Sequence, residues 1–392
     1  MSSRNRLDPD SEVFIDGLRG LLAIAVLISH AVDLGIYRTI SSDMETTPVL
    51  WRVARATIGH GGFYVWVFFV ISGLCIHQSI ARAMAQGCFR WRSYLFARAT
   101  RLYPLYLVGL LLAVIALPHA AELTSNASVH PWRQLVASLF MLHGFTDSFP
   151  GFSPSWSLAN EAAYYFVWPM ALIMAANRQG KAVAYSLVGL LVPAACVACV
   201  WWIFGPKSVG STLNGFWVIG ILFPTWLAGA MLAMNWEKMS QWVTIGRWEL
   251  GIAMSVAAAL LLSIAKYYDV APKYIDLMSC VSIPGIVIVL AGGHHLRLAG
   301  DERLAVRCKR LGLLSYPCYI LHMPLMCLTD WAAETVVPGW VLMNVYVRIL
   351  SLLLPSALVL IGLGPWAESR LLAWRAVAIQ RSTRKPFNLA IQ

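Results

Sequence analysis

The sequence predicts an all-α, polytopic membrane protein of about ten transmembrane helices, with both termini in the cytoplasm. The first observation is composition: of 392 residues, 59% are hydrophobic and 12% are charged, and the mean hydropathy is +0.65. An ordinary soluble domain carries about 25% charged residues, so this chain lies outside that class. The second observation is a series of long apolar runs, and the third is an uneven distribution of lysine and arginine between the loops.

A transmembrane helix needs about 20 predominantly apolar residues to cross a hydrocarbon core of about 30 Å. Ten stretches of the sequence approach this length, and no appended soluble domain is visible between them. The predicted spans are residues 16–36, 61–80, 103–118, 156–176, 182–204, 216–235, 248–268, 275–293, 313–331 and 341–364.

The loop charges predict the orientation. With both termini inside, 21 of the 30 lysines and arginines fall on inner segments and 7 on outer segments. Cytoplasmic loops of membrane proteins are enriched in these residues, so the ratio favours an inside N-terminus. The same loops account for the net charge of +11, and we expect no nucleic-acid partner. We divide the chain into a cytoplasmic segment 1–13, a transmembrane domain 14–366 and a basic cytoplasmic tail 367–392.

The first span carries four ionisable residues: Asp16, Arg19, His30 and Asp33. Arg19 and His30 are 11 residues apart, which is close to three helical turns, so they face the same side with about 16 Å of rise between them. A charge in a bilayer helix costs about 2.5–3.5 kcal/mol on insertion scales and usually faces a protein interior or a wet cavity. The alternative is that Asp16 and Arg19 reach the headgroups and that His30 only bonds a neighbouring helix.

Three arginines are predicted to meet at the cytoplasmic side. Arg19 lies near the inner end of the first span, and Arg98 and Arg101 stand at the inner start of the third. Guanidinium groups bind phosphate oxygens in a bidentate manner, so this trio indicates a phosphate site. The alternative for Arg98 and Arg101 is the ordinary positive charge of an inner loop.

Near the outer side, a histidine and a carboxylate are predicted at matching depth. His30 lies about six residues, and Glu161 about five residues, from the outer ends of their spans. A carboxylate beside the imidazole would orient it as a general base, with Asp33 as the alternative orienting group. His322, near the middle of the ninth span, is either a substrate-contacting residue or a packing residue. Ser72, followed by a glycine, indicates either close helix packing or a narrow slot for a pantetheine-like chain.

Five motifs follow one another through most of the chain: DGLRGLLAIAVLISH, FFVISG, RATRLYP, WSLANEAAYYFVWP and LSYPCYILHMP. In this order they resemble the membrane acyltransferase family 3, the integral-membrane O-acyltransferases of cell-surface glycans, nodulation factors and some macrolides. The resemblance implies a ten-helix fold in the bacterial inner membrane, a cytoplasmic acyl-CoA donor, most often acetyl-CoA, and transfer to a hydroxyl of a carbohydrate or glycolipid. Within it, His30 corresponds to the essential histidine, and Arg19, Arg98 and Arg101 to donor-handling positions. The family often has a second glutamate after Glu161, where this chain has alanine.

These expectations combine into one mechanism. His30 acts as catalytic base with Glu161 or Asp33 orienting it, and the partners are acyl-CoA, the acceptor and membrane lipids. Acyl-CoA is a donor substrate, so we expect no permanently bound cofactor and no metal. Candidate substrate-contacting residues are Ser72, Trp156 and His322. The alternatives are a glycolipid flippase or small-molecule transporter, although no internal repeat is visible in the sequence, and a non-catalytic acyl-CoA sensor.

Overall fold

The computed structural model describes residues 7–40, 46–59, 61–123, 131–142, 148–176, 211–270 and 280–384. This part of the chain is helical and contains no strand. Its α-helices, numbered in chain order, are α1 (Pro9–Thr39), α2 (Val49–Thr57), α3 (Gly61–Ala85), α4 (Trp91–Leu123), α5 (Pro131–Leu139), α6 (Trp156–Ala176), α7 (Ser211–Met234), α8 (Trp236–Trp242), α9 (Ile245–Tyr267), α10 (Ile283–Ala291), α11 (Glu302–Val336), α12 (Gly339–Leu342) and α13 (Val345–Arg384).

The all-α prediction is confirmed for the described residues. Each predicted span that falls on them coincides with a helix, whereas the span 182–204 and the first residues of the span 275–293 lie outside them. Six helical segments of the described chain are long and apolar enough to cross a membrane, and the bent pair Cys280–Ala291 and Gly293–Gly300 would be a seventh. The count of ten and the side of each terminus stay predictions.

Helix α1 is the element that positions the predicted site. It begins with a cap in which Asp8 Oδ1 accepts a hydrogen bond from the backbone N–H of Ser11 at 2.8 Å, with Pro9 in the first turn, a favourable helix start. It packs most extensively along α11 and also against α13 and α3. One continuous helix therefore carries Arg19 and His30 past the same neighbours.

Helices α3 and α7 approach one another through glycine. A methyl group on Gly73 would collide with the carbonyl oxygen of Trp226, and one on Gly229 with that of Val70. Small residues permit such backbone contact between membrane helices. The close-packing alternative therefore holds for Gly73, while the preceding Ser72 faces a cavity.

Helix α6 starts inside the bundle instead of at its surface. Phe152 and Ser155, just before it, are fully buried. The hydroxyl of Tyr319, from the middle of α11, donates to the carbonyl oxygen of Pro154 at 3.1 Å. The first turn of α6 therefore lies at the depth of the middle of α11.

Helix α13 continues beyond the predicted domain boundary at residue 366. It is one helix of 40 residues, which corresponds to about 60 Å at 1.5 Å per residue. A bilayer core is about 30 Å thick, so the helix is twice the length needed to cross it. Arg375, which lies beyond that boundary, lines the cavity of the candidate site.

Candidate active site

A cavity of about 330 Å³ lies between α1, α3, α4, α6, α11 and α13. The three arginines predicted to bind phosphate, Arg19, Arg98 and Arg101, all line it, at the end of the bundle where α1 begins. A fourth arginine on its wall, Arg375, comes from α13 and lies in the segment that the sequence predicts as a tail. We call this space the arginine cavity and that end of the bundle the inner end.

The arginines of α4 are fixed by neighbouring polar and aromatic groups. Arg98 donates from Nη2 to Ser79 Oγ at 3.2 Å, and its guanidinium carbon lies 5.8 Å from the ring centroid of Tyr165. Arg101 is paired with Glu368, which is buried. Residues three apart share one helix face, so both side chains leave α4 toward the cavity.

Glu161 lines the arginine cavity and is hydrogen-bonded by Ser72, whose hydroxyl donates to Oε1. The hydroxyl of Ser72 in turn accepts from Trp226 Nε1 at 3.2 Å. The polar partners of His30 are other groups, so the prediction that Glu161 orients His30 is wrong. The physical reason is the buried start of α6, which carries Glu161 deeper than its distance from a span end implies. A role for Glu161 in the reaction stays a prediction.

The partner of His30 is His322 from α11. Their ring centroids are 4.9 Å apart, and His322 Nε2 lies 3.2 Å from His30 Nδ1. His30 Nδ1 also lies 3.0 Å from the carbonyl oxygen of Val26. The sequence singled out His322 without predicting this contact, because its partner is 292 residues away.

The hydrogen-bond network assigns the ring protons of this pair. His322 Nδ1 faces the carbonyl oxygens of Cys318 at 3.0 Å and Tyr319 at 2.8 Å. Carbonyl oxygens only accept, so in the neutral ring Nδ1 carries the hydrogen and Nε2 carries the lone pair. His30 then donates from Nδ1, and its own Nε2 is left with a lone pair. The pair thus presents one basic nitrogen, His30 Nε2.

Gly61, the first residue of α3, lies against that edge of the His30 ring. A methyl group on Gly61 would lie 3.1 Å from His30 Cε1 and 3.6 Å from His30 Nε2. Glycine at this position permits α3 to begin in close contact with the edge of the ring. The lone pair of Nε2 lies at the same edge, where a hydroxyl would approach it in general-base catalysis.

Asp33 is held away from His30 by cations. Its Oδ1 accepts from Arg55 Nε at 2.9 Å and lies 3.8 Å from Lys266 Nζ. The prediction that Asp33 is the orienting group of His30 is therefore wrong, because His30 Nδ1 lies against the carbonyl oxygen of Val26 and Nε2 of His322. The reason is that the carboxylate, 40% exposed, turns toward α2 and α9, whose charged donors bind it more strongly than a neutral ring.

An aromatic pair separates the arginine cavity from the histidines. The rings of Phe68 and Tyr319 both line the cavity, with centroids 5.7 Å apart, and the Tyr319 ring lies 6.2 Å from that of His322. Neither histidine lines the cavity. Phe68 and Tyr319, which we call the aromatic partition, therefore lie between the arginine cavity and the histidines.

Trp156 packs behind the wall of the cavity. Its ring lies 6.4 Å from that of Phe69, at an interplanar angle of 29°, and Phe69 is the one that faces the cavity. Contact of Trp156 with a substrate stays a prediction.

A second polar cluster, largely missed by sequence reasoning, joins α1, α4, α11 and α13 at the opposite end of the bundle. Asp330 Oδ2 accepts from Arg348 at 2.6 Å and from His119 at 2.8 Å, and Glu334 pairs with Arg348 and Arg38. His119, Asp330 and Glu334 bring ligand-type atoms within 4.8 Å of one another. Two guanidiniums already neutralise the two carboxylates. The cluster is therefore explained as a structural link between the ends of these helices, which we call the clasp. The available sequence signal was two acids one turn apart within an apolar helix.

Comparison with known proteins agrees with this architecture. The family model for acyltransferase family 3, described as "Acyltransferase domain", matches residues 12–366. Acyltransferase MdmB of Streptomyces mycarofaciens is 27% identical over 319 residues, which cover 79% of this chain and 77% of that protein. Protein 2 in picA locus of Rhizobium radiobacter is 26% identical over 204 residues, covering 48% of this chain and 96% of that protein. No solved structure matches.

Proposed function

The chain belongs to acyltransferase family 3. From that premise we propose that it transfers an acyl group from acyl-CoA to a hydroxyl of a carbohydrate or glycolipid, and that this acyl group is acetyl. We further propose that it does so in the bacterial inner membrane, with the inner end of the bundle toward the cytoplasm. The observation that carries the proposal is the His30–His322 pair, whose hydrogen bonds leave His30 Nε2 as its one basic nitrogen.

The donor side of the proposal rests on the arginine cavity. Its four guanidiniums suit the phosphates of a coenzyme, since each fork matches two phosphate oxygens. At about 330 Å³ the cavity is at the lower limit of ligand sites, about 300–1,000 Å³, so it suits one end of a large donor. The acyl end would then continue past the aromatic partition toward His30, which requires Phe68 or Tyr319 to change rotamer.

The chemical step uses His30 twice. His30 Nε2 takes the proton of the acceptor hydroxyl as its oxygen attacks the thioester carbonyl. The carbon–sulfur bond of the tetrahedral intermediate then breaks, and the sulfur leaves with the proton that the imidazolium returns. Proton transfer of this kind supplies about 10²- to 10⁴-fold in rate, and alignment of donor and acceptor supplies a further part.

His322 would act as a positioning residue. Since its own Nδ1 hydrogen is held by two carbonyl oxygens, its Nε2 keeps accepting when His30 becomes an imidazolium. A fixed acceptor at Nδ1 orients the His30 ring and stays in place when Nε2 takes up the proton. This supports the transient cation that the mechanism requires.

Membranes containing the full chain, incubated with radiolabelled acetyl-CoA and extracted glycolipid, test the proposal. We expect His30→Gln to lower ester formation by about 10²-fold or more while coenzyme binding is retained. We expect His322→Gln to lower kcat, with an altered pH–rate profile and little change in the KM for acetyl-CoA. Undiminished ester formation by His30→Gln would exclude the mechanism. Label that crosses the membrane without entering an ester would favour the transporter alternative instead.

A further inference from the structure

Arg375 is a cavity residue that lies outside the part of the chain matched by the family model. That match ends at residue 366, and Arg375 follows two and a half turns later on the same helix. It nevertheless lines the arginine cavity together with Arg98 and Arg101. Its neighbour on the inward face of α13, Glu368, is 3% exposed and paired with Arg101. The turn of α13 that carries Arg375 is therefore part of the site wall.

Two guanidinium nitrogens in this wall lack a partner. Arg98 Nε and Arg375 Nε are both buried and have no hydrogen-bond acceptor within the described chain. Buried donors on charged groups are almost always paired, because they lose their hydration without compensation. Both side chains line the same cavity. An anion that enters this cavity would therefore meet two guanidiniums with unused donors.

The charge of the wall supports the same conclusion. Four arginines line the cavity against one carboxylate, Glu161, which already accepts from Ser72. Glu368 lies behind the wall and is occupied by Arg101. Four guanidiniums therefore share two carboxylates, Glu161 and Glu368, so the wall keeps an excess of positive charge.

We propose that Arg98 and Arg375 hold a phosphomonoester dianion, and, resting on the proposed function, that this group is the 3′-phosphate of the coenzyme donor. A phosphomonoester carries a charge of about −1.5 to −2 at pH 7 and three free oxygens. A bridging phosphate of the pyrophosphate carries one charge and two free oxygens. Two guanidinium forks therefore match the terminal group better. Arg19 and Arg101 are left for the pyrophosphate.

The test is binding of coenzyme A and of 3′-dephospho-coenzyme A to the full chain in detergent, measured by calorimetry. We expect the wild type to prefer coenzyme A by about tenfold or more. Arg375→Gln should weaken coenzyme A binding by about 10- to 100-fold and leave dephospho-coenzyme A binding unchanged, so the preference disappears. Arg375→Lys, which keeps the charge but loses the fork, should fall between the two.

Arg370→Gln is the matched control, because it removes the same charge from an exposed position on α13; we expect it to bind both ligands as the wild type does. Equal weakening of both ligands by Arg375→Gln, or of neither, would overturn the assignment. A wild type that binds coenzyme A without preferring the 3′-phosphate would overturn this inference alone, whereas no coenzyme binding at all would overturn the proposed donor. Binding of phosphatidate that depends on Arg375, with no binding of either coenzyme, would assign the dianion to a lipid headgroup and overturn the donor assignment.

Discussion

Replacing Gly61 by alanine places one methyl group beside the reactive edge of His30. The methyl carbon would lie 3.1 Å from His30 Cε1 and 3.2 Å from Ser29 Oγ, whereas carbon atoms in contact prefer about 3.5–4.0 Å. The imidazole must therefore shift by about 0.5 Å. The methyl also lies 3.6 Å from Nε2, within the space where an acceptor oxygen must come to about 2.6–3.2 Å. Since a misplacement of about 1 Å can cost about 10²-fold in rate, we expect kcat to fall by 10- to 100-fold.

Ester formation from labelled acetyl-CoA, as a function of acceptor concentration, measures this loss. Coenzyme binding at the arginine cavity should be unchanged, because that cavity lies beyond the aromatic partition. Gly62→Ala is the matched control, since a methyl group there meets nothing within 4 Å and should leave kcat intact. Wild-type turnover by Gly61→Ala, or an equal loss in Gly62→Ala, would refute the assignment of His30 Nε2 as the reacting nitrogen.

Three further substitutions test other parts of the structure. Asp330→Asn removes the buried charge that Arg348 and Arg38 share, and it should lower the free energy of unfolding by about 3–5 kcal/mol. Glu334→Gln, at a partly exposed position, should cost about 1 kcal/mol or less. Thermal unfolding in detergent compares the two variants. Gly229→Ala places a methyl group against the backbone carbonyl of Val70 and should prevent a stable monodisperse preparation. Gly220→Ala, where a methyl group meets nothing within 4 Å, should purify as the wild type does. Phe68→Ala removes one ring of the aromatic partition and should raise kcat/KM for butyryl-CoA relative to acetyl-CoA by about tenfold. An unchanged ratio would show that the partition does not limit the length of the acyl group.

Helix positions and the meeting of three arginines could be predicted from sequence because both follow from local quantities. Apolar run length locates helices in a bilayer, and a charged residue near a span end has a depth that can be counted. Arg19, Arg98 and Arg101 all stand near such ends, and all line one cavity.

Contacts that depend on where a helix begins in the bundle could not be predicted. Counting residues from an outer surface predicts that Glu161 lies near His30, but α6 begins inside the protein, so the carboxylate meets Ser72 and the cavity. The sequence predicts an acid as the orienting partner of His30, whereas His322 occupies that place and Asp33 is bound by cations. Tertiary pairing across hundreds of residues leaves no periodic signal in one sequence.

Helix α13 has Arg348 in the clasp at one end of the bundle and Arg375 in the arginine cavity at the other. These residues are 27 positions apart on one helix, a rise of about 40 Å. Because α13 follows the other helices of the described chain, neither end of the bundle is complete until α13 has been synthesised. A chain that stops before α13 would lack Arg348, so the buried Asp330 would keep only His119 and Arg38 as partners.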